Sequence, residues 1–207
     1  MEKMFQYDNP VWNILGKIAD MVFISLLWIF CSLPVITLGA ATTAAYSSAR
    51  ILLEDEGELA KTFMTSFRIN FRKSTVLWLM VLTSGIVFSA DLYFFTQIGA
   101  DWAKVMVIVT LVFSFILLVM AIYMFSMISK FEGNLKQLAG MAFVLSIRAL
   151  PSTILMVLLF LAVVSVVLLK YWFVGLIAAG LIAFIHTWIL EDVYRKHGLV
   201  EKETARV

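Results

Sequence analysis

Five stretches of this chain carry no charged side chain, and they decide what it can become. Met21–Ala49, Ser74–Ala90, Val105–Ser129, Ala149–Leu169 and Tyr171–Leu190 hold 29, 17, 25, 21 and 20 residues, 112 of the 207. A hydrocarbon layer about 30 Å thick is crossed by roughly 20 apolar residues in a helix, so the last three suffice outright. The second is interrupted by Asp91 but continues as Leu92–Ala100, which makes it long enough. A soluble helix needs a polar face, and Val105–Ser129 (VMVIVTLVFSFILLVMAIYMFSMIS) has none. Charged residues make up 14% of the chain and mean hydropathy is +0.97, where a soluble domain is about 25% charged. A soluble globular enzyme, a disordered chain and a disulfide scaffold are excluded. Lipid offers no partners to backbone groups, so a spanning segment is a helix or part of a closed barrel, and these runs lack the alternation of barrel strands. The expectation is an all-α, polytopic transmembrane helix bundle with five membrane-spanning helices. They fall at about 21–49, 74–97, 105–129, 149–169 and 171–190 of a single transmembrane domain, 1–207.

Lysine and arginine accumulate on the cytoplasmic side of membrane proteins. Arg50, Lys61, Arg68, Arg72, Lys73, Lys130, Lys136, Arg148, Arg195, Lys196, Lys202 and Arg206 share one face if stretches two to five each cross once. Only Lys104 and Lys170 lie opposite. Twelve against two places the first group, and the C-terminus with it, in the cytoplasm of a multi-pass protein of the bacterial plasma membrane. The N-terminal side is open. The first stretch is too long, and Pro34, which lacks the donor a helix interior needs, sits in its middle with Gly39. It is read either as one crossing broken at Pro34 or as a helix pair, Val11–Leu33 returning through Val35–Leu52. The pair puts Lys3 and Lys17 inside as well, with Lys17 and Asp20 three apart on a helix and able to pair. A cleavable signal peptide is not expected, since the first small-residue site, around Gly39–Ala41, lies too late.

No catalytic, cofactor-binding or metal-binding residue is expected. His186 and His197 form no metal-ligand spacing with each other or with Cys31, the one cysteine, and no G-x-S-x-G, H-E-x-x-H or Walker A pattern occurs. The tail EDVYRKHG reads as a helix end stopped at Gly198, not as a nucleic-acid-binding face. Asp91, with Tyr93 and Trp102, suits the outer interface, and His186 suits helix packing near the inner one. Glu54, Asp55, Glu56 and Glu58 around Gly57 read as a solvated turn. Small residues repeat at intervals of four in Gly39/Thr43/Ser47, Ala40/Ala44/Ser48, Ala41/Ala45/Ala49 and Gly175/Ala179/Ala183, a pattern that lets helices approach closely. Packing within this chain is the preferred reading over docking onto a second protein. A helix break at Pro34–Gly39 should turn Thr37, Thr42 or Thr43 toward protein, because freed backbone groups need partners at depth.

Outside the apolar runs, Glu58–Lys73 (ELAKTFMTSFRINFRK) is the most informative segment. At a helical period Leu59, Phe63, Phe67 and Phe71 share one arc, and Lys61, Arg68 and Arg72 a neighbouring one. It is expected to form an amphipathic helix at the cytoplasmic interface, with the phenylalanines buried and the arginines facing headgroups or an acidic partner.

Two runs, FQYDNPVWNILGKIAD and LLWIFCSLPVITLGAATTAAY, resemble the opening of the YesL-like family of small bacterial membrane proteins. The shared features are Asp8-Asn9-Pro10, Lys17, Asp20, Trp28, Ser32-Leu33-Pro34, Thr37, Gly39, Thr42-Thr43-Ala44 and Tyr46, with Phe63, Phe67, Asn70-Phe71 and Arg148-Ala149-Leu150-Pro151 further on. Ser25 stands where such proteins often have Asn. The family has no established activity. Its members are often encoded beside carbohydrate-uptake systems of the ATP-binding-cassette type, so the resemblance implies a non-enzymatic protein accessory to such a system. The expected partners are then the lipid bilayer and the permease or ATPase subunits. The alternative is a small solute transporter or permease-like subunit, since the connection Glu132–Pro151 before a membrane helix faintly resembles a permease coupling loop. A transporter requires polar residues gathered at midplane around broken helices.

Overall fold

Leu33-Pro34 is where the first apolar run breaks. In a computed structural model, which describes residues 10–55, 57–169 and 175–199, helix α1 spans Pro10–Ser32. A single 3-10 turn, Val35–Thr37, follows, and α2 begins at Leu38 and ends at Glu54. The helix pair is therefore the arrangement adopted, and 21–49 is parts of two helices. They run antiparallel: Trp28 Nε1 donates to Thr42 Oγ1 at 3.1 Å near the turn, and Lys17 Nζ meets Asp55 at 2.9 Å at the other end. Lys17 thus pairs with Asp55, not with Asp20 three residues on. Asp55 caps α2 in the left-handed conformation (φ 54°) and leads into the turn before α3.

Between Leu59 and Ser84 there is no glycine or proline, and nothing stops a helix once it has started. The amphipathic segment and the second crossing accordingly merge into one rod, α3, Leu59–Gln97. At 1.5 Å per residue its 39 residues extend about 58 Å. After α4 (Asp101–Lys130) the connection expected before Pro151 contains a helix of its own, α5 (Leu135–Arg148). It starts on a reciprocal capping box between Asn134 and Gln137. The chain bends at Ala149 and continues as α6 (Leu150–Leu168), with Pro151 in the first turn, where a missing N–H costs nothing. Helix α7 covers Gly175–Lys196, and Gly198 (φ 70°) ends it with the Leu199 N–H returning to the Tyr194 carbonyl at 3.0 Å. Residues 171–174, Lys202 and Arg206 lie outside the described residues, as do Lys3, Asp8, Asn9, Glu56 and Lys170.

Helices α1, α3, α4, α6 and α7 are each long and apolar enough to cross a membrane, and no strand occurs among the described residues. Large apolar side chains face outward: Ile86, Ile108 and Leu158 are each about 60% exposed, at 62%, 62% and 59%. In water such a surface would aggregate. In lipid it is the expected exterior, and the chain is a multi-pass membrane protein.

Helix α2 is the exception. It is enclosed by α1, α3, α4 and α7, and Gly39–Ala41, Thr43–Ala49 and Leu52 are buried. Its rows of small residues are spent on packing inside this chain. Where Gly39 lacks a side chain, the Ser74 carbonyl and the Trp78 Cβ lie only 2.5 Å from the position a Cβ would take. On α7 the close approach is made by Gly180, against the Met21 carbonyl of α1, whereas Gly175 borders little. Two apolar clusters meet on α2. One joins Ile24, Ala45, Leu52 and Phe63, the other Tyr46, Tyr123, Met127 and Leu190.

Candidate functional site

Enclosing a helix rich in hydroxyls requires partners for them, and those of α2 find partners on α1, α3 and α7. Thr43 Oγ1 bonds Ser74 Oγ at 2.7 Å, and Ser47 Oγ bonds Ser66 Oγ at 2.7 Å, both on α3. Tyr46 reaches His186 on α7, its hydroxyl 3.0 Å from Nδ1. The other ring nitrogen, Nε2, lies 3.1 Å from the Met156 carbonyl of α6. A carbonyl only accepts, so Nε2 carries the hydrogen and Nδ1 accepts from Tyr46. Three helices are joined through one imidazole. At the helix break, Thr37 Oγ1 lies 2.6 Å from the Cys31 carbonyl and 2.7 Å from that of Pro34. Ser32, Thr75 and Thr187 hold buried hydroxyls without a partner among the described residues.

One turn beyond Tyr46, the contacts become ionic. Arg50 Nε donates to Glu191 at 2.7 Å, and its other nitrogens reach Ser129 Oγ at 3.2 Å and the Ser129 carbonyl at 3.4 Å. Lys130 bonds the second oxygen of Glu191. Residues from α2, α4 and α7 thus form a half-buried charged knot at one end of the bundle, which is called the charged end below.

Beside the knot opens a cavity of about 900 Å³, walled by α2, α3, the end of α4 and the turn into α5. Helix α3 contributes Lys61, Thr62, Thr65, Ser66, Ile69, Asn70 and Lys73, which fall on one side at 100° per residue. Arg50 and Ser47 form part of the α2 wall, and Lys130, Glu132, Asn134 and Gln137 part of the opposite one. Asn70 Nδ2 donates to Ser66 Oγ at 3.2 Å, so the wall is a hydrogen-bonded chain from Ser47 through Ser66 to Asn70. Arg50 and Lys130 are held by Glu191. Lys61 and Lys73 make no ion pair among the described residues, and nor do Glu54 and Glu132 at the rim. Among the described residues, no three His, Cys, Asp or Glu side chains come together as a metal site. The arrangement is one of hydrogen-bond donors and fixed charges suited to binding.

The residues singled out in the sequence fall into two places. Pro34 is at the exposed tip of the α1–α2 pair, and Thr37, Gly39, Thr42 and Thr43 line the inner side of the break against Cys31, Trp78, Trp28 and Ser74. On α3, Phe63 is fully buried and Phe67 half-buried, while Phe71 is 38% exposed and meets Phe67 edge to face at 5.6 Å. Arg68 and Arg72 are exposed. None of these five lines the cavity. The cavity is lined instead by Thr62, Thr65, Ser66, Asn70 and Lys73, a polar arc on the same helix displaced from both the aromatic and the arginine arcs.

Residues 21–92 match the family described as a protein of unknown function, DUF624. That span contains the break, all of α2 and most of α3, so the matched part is the part that builds the enclosed helix. Over 184 residues, 86% of each chain, the sequence is 25% identical to the uncharacterized protein YesL of Bacillus subtilis (strain 168). The chain is similar to that protein over most of its length. No solved structure matches it. Of the features behind the resemblance, Lys17, Trp28, Thr37, Gly39, Thr42, Thr43 and Tyr46 each make a contact between or within helices α1, α2, α3 and α7 or the turns beside them. Asp8 and Asn9 lie outside the described residues.

Proposed function

We propose that this YesL-like chain is a non-enzymatic accessory protein of an ATP-binding-cassette-type carbohydrate uptake system in the bacterial plasma membrane. Its charged end faces the cytoplasm together with the C-terminus. The uptake context rests on the family resemblance alone. The orientation rests on the distribution of lysine and arginine, twelve against two, to which the α1–α2 pair adds Lys3 and Lys17.

The observation that carries the accessory role is the start of α3. One side of it is anchored by Phe63 and Ser66, while Met64, Arg68, Phe71 and Arg72 stand exposed on the other. A rigid helix presenting cations and an aromatic side chain at a membrane boundary suits an acidic partner surface. A solute-moving role draws less support, because Thr43 pairs with Ser74, Ser47 with Ser66 and Tyr46 with His186 instead of offering free groups to a passing solute.

The test is affinity purification from the native membrane in mild detergent. The wild-type chain should bring down a permease or ATPase subunit. Arg68→Glu with Arg72→Glu should lose it, with expression and detergent stability near normal. Retention of the subunit by the charge-reversed chain, or its absence from the wild type, would overturn the accessory reading.

A further inference from the structure

The charged end contains a recess that the docking reading leaves without a purpose. We propose that the cavity between α2, α3 and the α4–α5 turn is a binding site for a phosphate ester whose alcohol part carries further hydroxyl or amino groups.

Three features point to that chemistry. First, the cations around the cavity are of two kinds. Arg50 and Lys130 are committed to Glu191, whereas Lys61 and Lys73 border the space with no acidic partner among the described residues. Lysine binds phosphate as a point charge with three rotatable donors. Second, the wall between them on α3 is built of short neutral donors and acceptors: Thr62, Thr65, Ser66 and Asn70. Asn70 gives one amide hydrogen to Ser66, which leaves its carbonyl and second hydrogen for a ligand. Third, Glu54 and Glu132 also border the cavity. Two carboxylates would repel a bare inorganic anion, yet they accept hydrogen bonds from hydroxyl or ammonium groups. A ligand that combines phosphate with such groups meets both sets. At about 900 Å³ the space is of the size small-molecule sites have, and Arg50, fixed by Glu191 and Ser129, keeps its wall in place before a ligand arrives.

Such an ester can arrive as a lipid headgroup or as a soluble molecule. Lys73 directly precedes the apolar run that starts at Ser74, so the recess lies where both reach it. The inference does not rest on the accessory role, because binding is measured on the purified chain alone.

The experiment uses the full chain in an uncharged maltoside detergent, with thermal midpoint and calorimetry as readouts. Glycerol 3-phosphate and short-chain phosphatidylglycerol are the probes, and glycerol is the phosphate-free control. At least one phosphate probe should bind saturably and raise the midpoint, and glycerol should do neither. A response to glycerol 3-phosphate assigns the soluble source, and a response to phosphatidylglycerol alone assigns the headgroup. Lys61→Gln with Lys73→Gln should weaken binding by about tenfold or more, the size of one lost charge-assisted contact. If that variant does not fold, Asn70→Asp sets a negative charge against the phosphate at nearly constant shape and should give the same loss. Failure of the folded wild type to bind either phosphate probe, an equal response to glycerol, or undiminished affinity in a folded variant would overturn the proposal.

Discussion

Ser25 shows how much one hydroxyl can hold in a bundle of this kind. It has no exposed surface, accepts the Gly180 N–H of α7 at 2.7 Å, and lies 2.9 Å from the carbonyls of both Met21 and Ile177. Its single hydrogen serves one of those carbonyls at a time, so the side chain tethers α1 to α7 at the point where Gly180 lets the backbones touch. Ser25→Ala removes the acceptor and should lower stability by about 1–3 kcal/mol, the cost of leaving a buried polar group unmet. A thermal melt in detergent measures this, and an unchanged midpoint would show that the Gly180 N–H needs no partner on α1. Tyr46→Phe makes the same kind of test at His186. The ring keeps its volume, Nδ1 loses its donor, and a drop of about 1–3 kcal/mol is expected. Neither tether was legible in the sequence. Ser25 and His186 lie inside apolar runs, and nothing in their neighbours in the chain names a partner 152 or 140 residues away.

At the scale of elements, the break at Pro34 was readable because proline acts locally, whatever packs around it. The enclosure of α2 was harder to see. Its sequence, LGAATTAAYSSARILLE, is less apolar than its neighbours, so hydropathy extended the first run across it without marking a separate helix. Small residues at intervals of four carried the information, and Gly39 is its sharpest point. Gly39→Val would put a side chain where Ser74 and Trp78 already stand, forcing α2 and α3 apart, and should cost about 1–3 kcal/mol or more by overpacking. Gly140, on α5, has open space where a Cβ would go. Gly140→Ala should therefore be neutral or stabilise by up to about 1 kcal/mol through helix propensity. Opposite outcomes at two helical glycines, read on one instrument, separate close approach from mere conformational freedom. If both changes proved equally harmless, α2 and α3 would not be in the contact described. The polar arc of α3 is hidden in the sequence for a different reason. Aromatic and basic residues dominate the amphipathic pattern, and Thr62, Thr65 and Ser66 between them have no periodic signal strong enough to stand out.

At the scale of the molecule, the distribution of lysine and arginine predicts a sidedness that labelling can measure. In a Cys31→Ala background, Ala100→Cys at the α3–α4 turn should react with an impermeant thiol reagent on intact cells, and Lys136→Cys on α5 should not. Equal reaction at both positions would remove the orientation proposed. The enclosure of α2 also has a consequence for how the protein is made. Helix α2 leaves the ribosome well before α7, yet two of its side chains, Tyr46 and Arg50, wait for His186 and Glu191 on that later helix. At about 5–20 residues per second, 140 residues take roughly 7–28 seconds to synthesise. For that interval an early helix rich in hydroxyls, with an arginine near its end, sits at the membrane without its counterparts.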